Sequence, residues 1–324
     1  MKKTFLLIVV VATVLLLVPD GRAQEAKVQR VGIILQGGPW YAIVVGLREG
    51  LKALGLTEGK QFTLDIHDTR GDLKAVEDTA KRLEQQKVDL IYTAATSVSL
   101  AAERSTVSTP IVFVAGTDPV AIKLVETISR PGGRLTGVHF LSTDLTGKRL
   151  ELLKQIIPNL RRVVTFYNPN NPSAKESAKV GREAAPQLGL DFIERHVASR
   201  EELEAALRAF GPEEADAYIA VSDAMVDAHA QLIINMSKAN RLPTMFYEQG
   251  LVESGGLASY STDFAEAGRL SARHVQQILS GANPKELPVE QVDRLAFIVN
   301  LKTAREIGLT IPDAILIRAN GVVE

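Results

Sequence analysis

The chain has no cysteine. That excludes disulfides, thiolate metal sites and cysteine nucleophiles together. It also removes the residue that would carry the lipid of an exported lipoprotein. Histidine is sparse: His67, His139, His196, His229 and His274 are the five, and no two stand at metal-ligand spacing. They are expected as surface or packed residues, with no metal and no cofactor. Aromatic residues make up 5% of the chain, and Trp40 is its one tryptophan. No G-x-G-x-x-G opens a helix, and P-loop, H-E-x-x-H and G-x-S-x-G motifs are absent. With no evident activated nucleophile, an enzyme is not expected. The "RPGG" at 130–133 precedes a strand rather than a helix. It therefore reads as a turn and not as a phosphate cradle. There is no low-complexity tract and no repeat.

Long apolar runs are also lacking, with one exception at the start, "MKKTFLLIVVVATVLLLVPDGRAQEAK". Lys2 and Lys3 precede an apolar run from Phe5 to Val18, shorter than the ~20 residues that span a bilayer. Pro19, Asp20 and Gly21 break it, and Gly21-Arg22-Ala23 offers small residues for cleavage. Residues 1–23 are expected to be a secretory signal cleaved near Ala23/Gln24, with no membrane insertion afterwards. An exported, unanchored, disulfide-free chain fits a bacterial periplasm. Charge is nearly balanced: losing residues 1–23 removes three positive charges and one negative, taking the formal charge from −1 to −3. Such a surface has no global attraction for nucleic acid or anionic lipid.

What is present is an alternation. "VGIIL" is a buried-strand run, and the next segment places Ile43, Leu47, Leu51 and Leu54 on one helical face before Gly55 stops it. "FTLDIHD", a helix capped by Asp72, "VDLIYTA", a helix from Ser97 and "PIVFVAG" continue the series. The rhythm restarts after "RLTGVHF". It runs through a helix over 143–157, "RVVTFYN", a helix over 173–188 and "DFIERHV". A capping box at Ser199 and Glu202, "AYIAVSD", a helix over 224–239, "TMFYE" and "LASYS" complete it. Pro186 lies inside the 173–188 pattern and predicts a kink or fraying near Arg182. Continuous apolar strands alternating with helices indicate α/β lobes with parallel sheets covered on both faces. A mature length of ~300 residues suits two domains of ~150. Without a flexible tether between the units, the expected division is 24–141 plus about 262–290 for the N-terminal lobe. The C-terminal lobe takes 142–261 plus about 291–324.

Four stretches carry a resemblance. They are "GLREGLKALGLTEGKQFTLDIHDTRGD", "VFVAGTDPVAIKLVETISRPGGRLTGVHF", "GKRLELLKQIIP" and "LPVEQVDRLAFIVNLKTAREIGLTIPDAILIRANGVVE". They resemble the ABC-transporter substrate-binding family that includes the tryptophan- and aromatic-amino-acid-binding proteins, from about Gln29 to Glu324. The resemblance implies a type I periplasmic-binding-protein architecture, in which two Rossmann-like lobes close on a small ligand. It also implies an ABC permease in the inner membrane as partner. It does not name the ligand; an amino acid or similar small polar molecule is expected. A periplasmic sensing module that presents a small molecule to a membrane receptor shares the same fold and export signal. A DNA-binding regulator would need a helix-turn-helix where the signal stands.

In an open parallel sheet the ligand sits beyond the carboxyl ends of the strands. Here nearly every such end is polar or aromatic: Gln36 and Trp40, Thr96 and Ser97, Thr117 and Asp118, Phe140, Asn168, Asp223, Glu248, and Tyr260. Thr96 and Ser97 begin a helix, which either receives a carboxylate or is simply capped. Asp118 either accepts an ammonium or caps the next short helix. Asn168, before Pro169, either bonds ligand polar atoms or makes a turn. Trp40 is either a stacking lid or a cover for the first helix, and Gly37-Gly38 allow close approach. Phe140 and Tyr260 are further aromatic candidates. Asp223 and Glu248 offer a second place for a cation.

Overall fold

Aliphatic runs recur from Gln29 onward because the central strands are buried on both faces. In a computed structural model that describes residues 27–211 and 213–324, they form two sheets. The signal segment lies outside the described residues. The first unit is β1 (Gln29–Leu35), α1 (Tyr41–Ala53), β2 (Phe62–Asp68), α2 (Leu73–Gln85), β3 (Leu90–Ala94), α3 (Thr96–Ser105), β4 (Ile111–Ala115) and β5 (Leu135–His139). The second begins with α4 (Thr146–Ile156), β6 (Arg162–Tyr167), α5 (Pro172–Ala184), β7 (Asp191–His196) and α6 (Arg200–Ala209). It continues with β8 (Ala217–Ile219), α7 (Ala224–Asp227), α8 (Ala230–Ala239), β9 (Thr244–Phe246), α9 (Gly250–Glu253) and β10 (Ala258–Thr262). Then come α10 (Phe264–Leu279), β11 (Glu290–Gln291), β12 (Leu295–Asn300), α11 (Leu301–Ile307), α12 (Asp313–Arg318) and β13 (Gly321–Val323).

The first sheet has the order β11-β5-β4-β3-β1-β2 and the second β13-β12-β10-β9-β8-β6-β7. All pairs in the first are parallel. In the second, β10 and β12 run antiparallel, with Tyr260 opposite Phe297. Burial explains the composition: every residue of β3, β4 and β5 is buried. The helix α10 returns to the first sheet and packs along α1. A Cβ at Gly46 would run into the Ala265 carbonyl, and one at Gly268 into the Ile43 carbonyl. The chain passes between the sheets at 140–145, 263 and 292–294.

Local signals act as their chemistry requires. The Asp72 carboxylate accepts from the N–H groups of Lys74 and Ala75 at 2.8 and 3.1 Å. The Ser199 hydroxyl accepts from Glu202 N–H, and the Glu202 carboxylate reaches back to Ala198 N–H at 2.7 Å. The helix over 173–188 is shorter than its pattern: α5 ends at Ala184, and Pro186 opens a separate 3-10 turn. The helix over 224–239 is two helices, α7 and α8, parted at Ala228 and His229.

Candidate functional site

Each sheet reverses its winding once, at β1/β3 in the first and at β6/β8 in the second. A strand-order reversal leaves a crevice at the carboxyl ends, where the flanking connections diverge to opposite faces. Gln36 and Ala95 follow the two strands at the first reversal; Asn168 and Ala220 follow those at the second. The two crevices face one another. The Thr117 hydroxyl lies 3.1 Å from that of Ser173 on α5. Gly38, at φ 55, is so close to α7 that a Cβ there would sit 3.2 Å from the Asp227 carbonyl oxygen. A single apolar cluster includes Phe113 of the first sheet together with Phe246 of the second, Tyr247 just after it and Met225 of α7.

The structure brings most sequence-selected residues to this seam, with differing roles. Gln36 is fully buried and neither amide atom has a partner among the described residues. Trp40 closes a 3-10 turn over Gly38–Trp40, is 2% exposed, and lies 4.9 Å ring to ring from Phe264. Its indole N–H has no partner among the described residues. Phe140 stands on the other side of Phe264, at 5.2 Å. Trp40 is thus part of an aromatic row with Phe264 and Phe140. Thr96 and Ser97 form the first turn of α3, which has no side-chain cap; Ala95 before it takes φ 116. The Thr96 hydroxyl accepts the Gly116 N–H at 3.0 Å and meets the Thr117 hydroxyl at 3.3 Å.

Other residues have their polar atoms committed. Asp118 is exposed and caps Val120 and Ala121, at 2.8 and 3.3 Å. Asn168 Oδ1 accepts Asn170 N–H at 2.9 Å, a turn bond. Asp223 is fully buried and accepts the N–H groups of Asn168, Met225 and Val226 at 2.6, 2.9 and 3.1 Å. Burial pushes its carboxyl up to about 6, although these donors pull it back. Glu248 accepts Leu251 N–H at 3.0 Å, and burial pushes its carboxyl up to about 7. Tyr260 does not join the group. The strand containing it continues to Thr262, so Tyr260 is interior to β10 and packs on the second lobe's own apolar core.

Three contributors were not singled out in the sequence. Asp227, at the end of α7, is buried with Oδ2 unpartnered among the described residues. Burial, with Asp223 and Glu248 nearby, drives its carboxyl well above the usual range. Tyr247 is buried with its hydroxyl unpartnered among the described residues. The Arg149 guanidinium lies 5.6 Å from the centre of the Tyr247 ring. Arg149 is itself fully buried, and donates to the Tyr260 carbonyl, the Ser142 carbonyl and the Ser142 hydroxyl at 2.8, 2.7 and 3.2 Å. Burial pulls its guanidinium down to about 9. Asp227 has no distinct sequence signal, because no glycine or proline marks the break after α7.

A recess of about 370 Å³ opens at the seam, lined by Gly38, Pro39 and Ala42 from one side and by Asp227, Glu248 and Leu251 from the other. That volume suits a small organic ligand. Three recesses are larger: those of 740 and 620 Å³ lie away from the strand ends, one beside Lys123 and Arg134, the other between α6 and α8, and one of 550 Å³ lies past the end of β6, beside Tyr167, Pro169 and Lys175. No three acids or histidines converge as a metal site among the described residues.

Residues 29–323 match the family described as ABC transporter substrate binding protein. The tyrosine-binding protein of Clostridioides difficile (strain R20291) is 25% identical over 82% of this chain and 76% of its own. The ABC domain in complex with L-Trp from Streptococcus pneumonia is 25% identical over 91% of this chain and 100% of its own, at a TM-score of 0.83. A ligand-free, open substrate binding protein with adhesive properties from Clostridium difficile is also 25% identical, over 91% of this chain and 99% of its own, at 0.61. With two parallel-dominated sheets of this topology and a match along nearly all the described chain, the protein belongs to the ABC transporter substrate-binding protein family.

Proposed function

We propose that this protein is an extracytoplasmic receptor that closes its two lobes on an aromatic amino acid and delivers it to an ABC importer in the inner membrane. One observation carries the reading. Buried polar atoms without partners, on Gln36, Trp40, Asp227 and Tyr247, gather where the carboxyl ends of both sheets meet. Buried polar groups normally find partners, so a set of orphans at one seam is what a ligand leaves behind. The aromatic row of Trp40, Phe264 and Phe140 gives an apolar wall. The uncapped first turn of α3 suits a carboxylate. The relatives named for tyrosine and crystallised with L-Trp point to the same ligand class.

In this reading the lobes are 24–141 plus about 262–290 and 142–261 plus about 291–324, and residues 1–23 are removed on export. The lobes move about the crossings at 140–145, 263 and 292–294. The ligand contacts both and favours the closed arrangement by its differential affinity. No chemical step is involved. Binding at ~1 μM needs about −8 kcal/mol, roughly 0.6 per heavy atom of tyrosine, within reach of a small ligand. Titration calorimetry of the mature chain with L-tyrosine, L-tryptophan and L-phenylalanine tests the reading. Micromolar binding of at least one supports it; no heat from any of the three up to millimolar concentration refutes it.

A further inference from the structure

Three segments of chain join the lobes, and two of them already run as one ribbon. The strand β10 leads into the crossing at 263, and β12 follows the crossing at 292–294. The two strands pair antiparallel as far as Thr262 opposite Leu295. The first crossing, 140–145, belongs to neither sheet. It is held from both sides at one residue. Ser142 N–H donates at 3.0 Å to the carbonyl of Gly116, which follows β4 in the first lobe. The Ser142 carbonyl and hydroxyl accept from Arg149, on α4 of the second lobe, at 2.7 and 3.2 Å. Through Nε the same guanidinium donates to the Tyr260 carbonyl on β10 at 2.8 Å. Arg149 therefore joins the first crossing to the ribbon made by the other two. All three of its partners are neutral oxygens, and a fully buried cation without a counter-charge is a costly way to fill a core. Beyond Tyr260, Asp263 is held by the first lobe: its carboxylate caps α10 at Ala265 N–H, 2.8 Å, and meets Arg269 at 3.2 Å. Only Ser261 and Thr262 lie between these two holds.

We propose that Ser142 and the Ser261–Thr262 step are the pivots of lobe closure, and that Arg149 is the positioning residue that makes them turn together. The proposal rests on the reading of the protein as a receptor whose lobes close on a ligand. Ser142 suits a pivot because its N–H is held by one lobe and its two oxygens by the other. Gly116 lets the two backbones meet, since a Cβ there would already sit 3.4 Å from that of Ser142. Just past the pivot the chain is fixed to the second lobe, where the Thr146 hydroxyl donates to the Thr143 carbonyl at 2.7 Å. The planar guanidinium holds acceptors on two crossings in one fixed geometry, which a single ammonium cannot do. The Tyr247 ring, 5.6 Å away, lies against it. With this link in place the first crossing cannot slide against the ribbon, and the lobes rotate as rigid bodies. Without it each crossing bends alone, and the lobes sample a wider range of separations.

The test measures lobe separation in the ligand-free protein. The chain has no cysteine, so two introduced ones alone take spin labels. Lys81→Cys on α2 and Glu183→Cys on α5 are exposed positions, one in each lobe. Double electron-electron resonance then gives the distribution of distances between them. Arg149→Lys in this background should broaden the distribution roughly twofold, because one nitrogen cannot hold both crossings. Ser142→Ala removes one acceptor and keeps both carbonyl contacts; it should broaden the distribution less, and it decides the matter if the lysine variant does not fold. Val163→Ala, in the second lobe's own core at the start of β6, controls for lost stability. It should melt lower and leave the width unchanged. An unchanged width in Arg149→Lys, or equal broadening in Val163→Ala, overturns the inference. If the lysine variant does not fold, an unchanged width in Ser142→Ala overturns it. Calorimetry of wild type with L-tyrosine, L-tryptophan and L-phenylalanine is read separately. Should none bind, the aromatic-amino-acid reading falls while the distances still decide the role of Arg149; should one bind and the widths not differ, that reading stands and the inference falls.

Discussion

The hydroxyls of Thr117 and Ser173 lie 3.1 Å apart across the seam between the lobes. Both are buried, and each begins at a strand end or helix start on its own side. In the proposed closure this bond belongs to the closed arrangement, where it holds the lobes together and adds nothing to either lobe alone. Thr117→Val keeps the shape and removes the hydroxyl. A net contribution of about 0.5–1.5 kcal/mol predicts a roughly two- to tenfold loss of ligand affinity. Calorimetry on the variant checks this. An unchanged affinity would place the contact outside the closure equilibrium.

Trp40 gives the second expectation. Its ring is buried against Phe264 at the seam, and it is the single tryptophan of the chain. Its fluorescence therefore reports on the seam alone. Opening should expose the indole and move its emission to longer wavelength, and a bound ligand should reverse the change. Trp40→Ala removes a large packed ring and should cost about 3–5 kcal/mol of stability in the closed protein. Urea unfolding with ligand present measures it.

Glu248 gives a pH dependence. Burial raises its folded carboxyl to about 7, with Glu253 and Asp263 adding to the shift. A carboxyl raised in the folded state stabilises the fold below its unfolded value. That stability is lost as pH rises through the folded value. The empty protein should therefore lose stability between about pH 4.5 and 7. Glu248→Gln should be flatter across that window, and thermal melts of the two proteins at pH 5, 6, 7 and 8 show whether the gap widens. Affinity for a cationic ligand should run the other way and rise over the same range.

Arg149 gives the fourth. Its three donors hold Ser142, within the first crossing between lobes, and Tyr260, two residues before the end of β10. Arg149→Lys offers a single nitrogen and cannot meet all three acceptors. Arg149→Ala leaves buried carbonyls unpaired and should cost about 3 kcal/mol or more. The order wild type, lysine, alanine in chemical unfolding is the expected result.

Much of this was legible from residue patterns because burial dictates composition. The aliphatic strands, the polar strand ends, and the caps at Asp72 and Ser199 follow from local chemistry. Strand direction at β12 is not encoded in an apolar run, so its antiparallel pairing with β10 had no signal. Tyr260 looks like a strand end in the sequence because no turn residue marks where β10 continues to Thr262. Asp227 was hidden inside one helical pattern that the fold divides in two. Its burial, like that of Gln36 and Tyr247, arises only where the lobes meet, which no local window contains.

Small-angle scattering of the mature protein, with and without saturating L-tyrosine or L-tryptophan shown to bind by calorimetry, tests the central claim most directly. A receptor that closes its two lobes on the ligand should show a smaller radius of gyration with ligand, and the bound curve should match the arrangement described above. Coincident curves that both match an open form, with binding established, would contradict it.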